Sequence, residues 1–320
     1  MSVVIGTLNR SDMLEQSLHS LLQQTTAPGT FEIVVVDNGS TDRTIALVTD
    51  LMARAPQIRL VHEARRGLSN ARNRGIAEAR APLVGFFDDD GIAEPDWAET
   101  LLAVFHREPS VGAAGGRIHV RWPAERPHWM ARSLEGYYGH FDCGAERRYI
   151  SMPDYPFGPN MVIRRELLQK IGGFRSELGP TGKNLMACGE TDLFHRLHQL
   201  PLTVVYEPAA VVYHVVPADR ATKRWSLVRS FRHGICSATM QYLNGDKRRR
   251  TWASRVLIAS GRALVAGVAT GTAVLTRRAE STVMSRGGHA MYWSGFARGA
   301  MTLLLTRDED SRRRLRESTT

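Results

Sequence analysis

Short apolar runs alternate with longer amphipathic ones along the first third of the chain. Residues 2–6, 31–36, 58–61 and 83–87 are short and rich in β-branched or aromatic side chains, which is the pattern of buried strands. Between them, residues 12–24, 42–55 and 69–79 carry helical patterning. Ser11 or Asp12 is the candidate cap of the first helix, Ser40 or Thr41 of the second, and Ser69 of the third. Strand–helix alternation with short connections predicts an α/β fold, a parallel-type sheet with helices on both faces. Residues 121–156 lose this regularity and become rich in Trp, Pro, Tyr and His, as expected of a long functional excursion. Order returns at residues 160–168 and in a helix over 191–199, followed by strands at 202–206 and 210–214.

The boundary of this α/β domain is expected near residues 217–223, giving a catalytic domain over 1–217 and a basic helical region over 218–320. Residues 256–276 are apolar and long enough to cross a bilayer, but Arg262 interrupts them. An arginine at the centre of a spanning helix costs about 2.5–3.5 kcal/mol on insertion, although one two turns from an end can snorkel. Lys247–Arg250 and Arg255 precede the stretch and Arg277 and Arg278 follow it, and positive charge on both sides opposes a simple single span. A second stretch, residues 290–306, carries Arg298 and the interfacial pair Tyr292 and Trp293. The pattern favours helices lying in or on a cytoplasmic leaflet. Packing of the same helices against the catalytic domain is the alternative.

Charge sharpens this division. The net charge of +10 is unevenly spread: from residue 220 onward 20 Lys and Arg face 6 Asp and Glu, a balance of +14, against −4 before it. A basic tail suits an anionic membrane surface. No nucleic-acid motif accompanies it, so no nucleic-acid partner is expected. Three widely spaced cysteines, Cys143, Cys188 and Cys236, form no CxxC pair, which argues against a zinc site or disulfide framework and fits a reducing cytosol. The N-terminus lacks a basic region followed by an apolar one, so no signal peptide is expected.

Candidate chemistry gathers at strand ends, where ligands bind in sheets of this kind. Thr7-Leu8-Asn9 follows the first strand, Asp37-Asn38-Gly39 the second and Asp88-Asp89-Asp90 the fourth. Three adjacent carboxylates repel one another, and a divalent cation relieves that repulsion; hard oxygen ligands suit Mg²⁺ or Mn²⁺. Glu190 and Asp192 lie at a helix start, where carboxylates are favoured by the dipole. Glu190 is the candidate base for an attacking hydroxyl, and Asp192 also reads as a cap. His214 ends a strand where the site is expected.

Together these motifs resemble the family 2 glycosyltransferases of the GT-A fold. The resemblance rests on residues 2–10 and 34–42, then Gly67-Leu68-Ser69-Asn70-Ala71-Arg72-Asn73 and Phe86-Phe87-Asp88-Asp89-Asp90. It continues through Gly158-Pro159-Asn160-Met161, Gly172-Gly173-Phe174, the Glu190–Asp192 cluster and His214, and covers residues 1–215. It implies a GT-A, Rossmann-like mixed sheet with a C-terminal helical extension. It implies an inverting transfer of sugar from a nucleotide diphosphate, while the basic, apolar tail points to a glycan or lipid-linked acceptor in polysaccharide or glycoconjugate synthesis and to the inner face of the cell membrane. Thr7, Asn9, Asp37, Arg72, Asp88 and Asp89 would contact the nucleotide sugar, with Asp89 in a supporting place. Asp90 and His214 would hold Mg²⁺ or Mn²⁺. Glu190 would deprotonate the acceptor, with Asp192 supporting it. Gly189-Glu190 stands where the family usually reads Glu-Asp, and Gly6 where it usually has proline. A sugar nucleotidyltransferase would want a glycine-rich phosphate loop after the first strand, and Thr7-Leu8-Asn9-Arg10 is not one. A non-catalytic scaffold with a binding tail is the remaining alternative.

Overall fold

The computed structural model describes residues 1–181, 186, 188–245 and 248–305. Lys247 and the terminal residues 306–320, which carry part of the basic charge, lie outside the described residues. By packing, the described chain forms two units. The first comprises Met1–Arg121, Gly139–Ser176 and Gly189–Val215; the second comprises Trp122–Tyr138, Glu177–Cys188 and the chain from Val216. Two segments that precede residue 217 in sequence therefore pack with the second unit.

The first unit is built on a nine-stranded mixed sheet. Its strands are β1 (Ser2–Thr7), β2 (Glu32–Asp37), β3 (Ile58–His62), β4 (Leu83–Asp88), β5 (Gly91–Ala93), β6 (Val111–Arg121), β7 (Arg148–Ile150), β8 (Met161–Arg164) and β9 (Thr203–Val215). The spatial order is β3-β2-β1-β4-β8-β6-β9-β5, with β7 on β9. β3, β2, β1 and β4 run parallel, and β8 is antiparallel to both β4 and β6. Six helices belong to this unit: α1 (Ser11–Leu22), α2 (Thr44–Met52), α3 (Leu68–Glu78), α4 (Trp97–Arg107), α6 (Arg165–Ile171) and α7 (Gly189–Leu197); the short α5 (Arg132–Glu135) lies in the second.

Alternate residues of each central strand feed two cores. Val3, Ile5, Ile33 and Val35 pack with Leu14 and Leu18 of α1 and Leu101 of α4. Val4, Val34, Val36 and Phe86 pack with Ala71 of α3 and Leu193 and Phe194 of α7. A sheet covered on both faces explains why these strands read as continuous apolar runs. Register then does the positioning: Thr7 pairs with Asp37, Asp37 with His62 and Gly6 with Asp88. The carboxyl ends of β1, β2 and β4 thus align on one edge, and the chain order reverses between β1 and β4, where such sheets bind ligands.

The caps differ from those expected. Ser11 is the first residue of α1, and its amide is capped across the loop by Asp42 Oδ2 at 3.1 Å. The residue flanking α2 is Arg43, and the Thr44 amide donates to Asp42 Oδ1 at 3.0 Å. Gly67 flanks α3 with φ 124°, a conformation that suits glycine, and its amide donates to Asn38 Oδ1 at 2.7 Å. The expected strands at 202–206 and 210–214 are one strand, β9.

In the second unit, α8 (Lys223–Asn244), α9 (Arg249–Leu275) and α10 (Glu280–Leu305) pack around Ala238, Tyr242, Trp252, Val256, Ala259, Phe296 and Ala300. Gly234 and Gly295 let α8 and α10 approach closely, since a Cβ at either would strike the backbone of the other helix. Arg262 stacks over the Trp293 ring, 4.4 Å from its centroid.

Candidate active site

The acidic triplet closes β4 and turns into β5. Asp88, Asp90 and His214 each offer a ligand atom, and these atoms lie within 4.8 Å of one another. Pairing of β5 with β9 sets Gly91 opposite His214, which delivers the imidazole to the triplet. His214 Nε2 is 3.1 Å from Asp90 Oδ1. Two carboxylates and an imidazole form a donor set that can hold a divalent cation, and the carboxylate oxygens suit Mn²⁺ or Mg²⁺. Asp88, expected beside the ribose or sugar, thus joins Asp90 and His214 in one cluster.

Asp89 points elsewhere. Its Oδ2 accepts from Thr7 Oγ1 at 2.8 Å and its Oδ1 from Arg10 Nη1 at 2.8 Å. Arg10 Nη1 also donates to Asp90 Oδ2 at 2.7 Å. Burial pushes the Asp89 carboxyl up to about 6; Asp90 adds to the rise, and Arg10 and Thr7 oppose it. Burial also raises Asp88, against the pull of Arg72 and His214. Carboxylates held this way are costly to keep charged, and added positive charge favours the ionised form. Arg10 is a site residue that the motifs do not single out; its only sequence signal is its place after Asn9 at the end of β1.

Arg72 bridges Asp88 and Glu190. Its Nη2 donates to Asp88 Oδ1 at 3.0 Å and its Nη1 to Glu190 Oε1 at 2.7 Å. Asn38 sets the start of its helix by donating from Nδ2 to the carbonyls of Glu63 and Arg65, both at 2.8 Å, while accepting from Gly67. Gly158 leaves the room required, because a Cβ there would collide with the Arg72 guanidinium and the Glu190 carboxylate. Next to Glu190, Thr191 Oγ1 lies 2.6 Å from Tyr155 Oη.

The other expected residues sit apart from this cluster. Asp37 accepts from the amides of Gly39 and Ser40 at 3.1 and 3.0 Å, and its Oδ2 lies 3.4 Å from His62 Nδ1. Burial raises the Asp37 carboxyl, but these hydrogen bonds outweigh it and hold the group below its ordinary value. Asn9 is exposed with φ 53°, and its Oδ1 accepts from the Thr41 amide at 2.7 Å, tying the β1 loop to the β2 loop. Asp192 is fully buried between Arg175 and Arg196, at 2.9 and 2.8 Å.

Sheet and site define the class: a GT-A glycosyltransferase, with its acidic cluster at the switch point of the sheet. The model of glycosyl transferase family 2 matches residues 2–172, and the chain belongs to that family. It is 26% identical over 245 residues to the glucosyl-dolichyl phosphate glucuronosyltransferase of Haloferax volcanii, covering 76% of this chain and 77% of that one. It is 27% identical over 229 residues to the succinoglycan biosynthesis protein ExoM of Rhizobium meliloti, covering 69% and 68%. Among solved structures, the mannosyltransferase PcManGT of Pyrobaculum calidifontis, in complex with GDP-Man and Mn²⁺, matches with a TM-score of 0.58 at 19% identity, over 90% of this chain and 85% of that one.

Proposed function

We propose that this glycosyltransferase is inverting and divalent-metal-dependent, and that it moves a sugar from a nucleotide diphosphate to a hydroxyl of a glycan or lipid-linked glycan acceptor. The Asp88–Asp90–His214 cluster carries the reading. Bound there, Mg²⁺ or Mn²⁺ supplies Lewis acidity that stabilises charge on the departing diphosphate. Asp90 and His214 would hold the ion, with a carboxylate oxygen of Asp88 close to both. Arg10 fixes Asp90 and Asp89, while Thr7 holds the far oxygen of Asp89. Asp37 and Asn9 shape the two loops that receive the nucleotide.

Glu190 takes the proton of the acceptor hydroxyl as its oxygen attacks the anomeric carbon and the bond to the diphosphate breaks. Arg72 positions Glu190 and Asp88 with one guanidinium, so base and donor site are held in a fixed relation. Asp192 is a positioning residue: its pairs with Arg175 and Arg196 anchor the helix whose first turn carries Glu190.

The second unit and the dolichyl phosphate named for the Haloferax volcanii relative support this acceptor class. Arg250–Leu275 is long and apolar enough to cross a membrane by length and composition. Its Leu257, Leu264, Val265 and Val268 are more than half exposed, while its other face packs on α10. That arrangement supports a helix lying on a cytoplasmic membrane surface with its apolar face in lipid.

The test is turnover of a nucleotide-sugar panel with Mn²⁺ or Mg²⁺ and a sugar linked to polyprenyl phosphate as acceptor. Asp90→Ala is expected to lower kcat/KM by about 100-fold or more, since the ion contributes several kcal/mol to the transition state. Full activity of Asp90→Ala, or of the enzyme in excess EDTA, would contradict the proposal.

A further inference from the structure

The second unit holds a cavity of about 510 Å³ that sugar transfer does not use. Arg126, His128, Arg132 and Ser133 line it from the segment leading into α5, and Ser285 and Arg286 from α10. Ser281 and Thr282, in the first turn of α10, add two more hydroxyls. No acidic residue lines it.

The charges around it do not cancel. Arg126 is paired with Glu135, Nε to Oε1 at 2.6 Å. Glu280 is shared between His128 at 2.9 Å and Lys223 at 3.0 Å. Arg132 and Arg286 have no carboxylate partner among the described residues, and Arg286 Nη1 donates instead to the Ala269 carbonyl at 2.9 Å. Ser133 Oγ and Ser285 Oγ lie 2.9 Å apart across the two segments. Two uncompensated guanidinium groups among hydroxyls form a site for a phosphate. The start of a long helix adds favourable dipole charge.

An apolar surface adjoins the cavity. Ala269, which Arg286 reaches, sits on α9 between Val265, Val268 and Leu275, which are 71%, 62% and 85% exposed. Arg277 and Arg278, both exposed, follow directly. A basic, hydroxyl-lined cavity beside an exposed apolar strip matches a molecule with a phosphate head and a hydrocarbon chain. We propose that this cavity binds the phosphate headgroup of a membrane lipid, with the chain lying along the exposed face of α9. The inference rests on the reading that the second unit meets a membrane, and it deepens that reading by naming the headgroup and its ligands.

Flotation of the full chain with vesicles tests it. Three vesicle types are compared: phosphatidylcholine alone, with phosphatidylglycerol, and with phosphatidic acid, the last two matched in surface potential. Phosphatidic acid, with its exposed phosphomonoester, is expected to bind about tenfold more tightly than phosphatidylglycerol, the scale of one lost charge-assisted hydrogen bond. The double variant Arg132→Gln/Arg286→Gln should lose that preference and keep its phosphatidylglycerol affinity. Val265→Ser/Val268→Ser should weaken binding to both anionic vesicles and leave binding of inorganic phosphate, read by calorimetry, unchanged.

Equal binding of the two anionic lipids, or an unaltered preference in the arginine variant, would overturn the proposal. So would saturation by inorganic phosphate with no vesicle association. Metal-dependent nucleotide diphosphate binding is measured on every variant. Its retention shows the fold is intact, and its loss in the unsubstituted protein would instead count against the proposed reaction.

Discussion

At the scale of single residues, the proposed base Glu190 and its partner Arg72 give the most specific test. Glu190→Gln keeps the shape and a hydrogen-bond acceptor for Arg72 but removes the base. Its kcat is expected to fall by about 10²–10⁴-fold, the usual contribution of a positioned base, with donor affinity unchanged within twofold. Single-turnover kinetics and donor titration separate the two, and an equal loss in donor affinity would assign Glu190 to binding instead.

Asp37 makes a pH-dependent contribution to stability. Its folded carboxyl lies below the ordinary 3.8, so its contribution is present above that value and lost as pH falls through the folded one. The melting temperature gap between wild type and Asp37→Ala is expected to be constant near neutrality and to narrow below about pH 4. A gap that widens in acid would show the opposite sign. Thr7, Asp37 and Asp88 were legible as candidates because they end strands. Arg10 was not, because an arginine after a strand has many uses and its two carboxylate partners lie about 80 positions away.

At the scale of elements, legibility followed the strength of the pattern. The first four strands and three helices read clearly because buried parallel strands and amphipathic helices have distinct periods. β6 did not read, since Gly112, Gly115 and Gly116 replace the β-branched residues that mark a strand. β9 read as two strands because Glu207 and Pro208 interrupt it; the structure absorbs them with a register shift between Gly116 and Ile118 of β6. α8 has polar and small residues spread around it, so no apolar face announced it.

Gly234 of α8 and Gly295 of α10 have a packing reason. Gly295→Leu would drive a side chain into the Phe231 carbonyl of α8 and is expected to destabilise the protein by at least about 1–3 kcal/mol. Gly267→Ala, on the open side of α9 with no atom near its Cβ, should stabilise it by about 0.5–1 kcal/mol. Chemical denaturation checks both, and a neutral Gly295→Leu would mean the two helices do not cross there in solution.

At the scale of the whole molecule, the chain separates an acidic front from a basic tail. The front folds a sheet whose strand ends meet in a carboxylate cluster. The tail folds helices with an apolar face left exposed between basic ends. Sequence showed the charge division and the apolar length, but not which face of α9 stays uncovered, because that depends on how α10 packs. Nor did it show that Trp122–Tyr138 and Glu177–Cys188 pack with the second unit, since assignments along the chain cannot see contacts between distant segments.

The acidic cluster as a metal-dependent nucleotide diphosphate site is the centre of the account. Thermal unfolding with a nucleoside diphosphate panel, with and without Mn²⁺, tests it most directly. A ligand at 100 times its Kd stabilises the folded state by about 2.7 kcal/mol. One nucleotide is expected to raise the melting temperature only when Mn²⁺ is present, and Asp90→Ala should abolish that rise. A rise of equal size without metal, or one retained in Asp90→Ala, would contradict it.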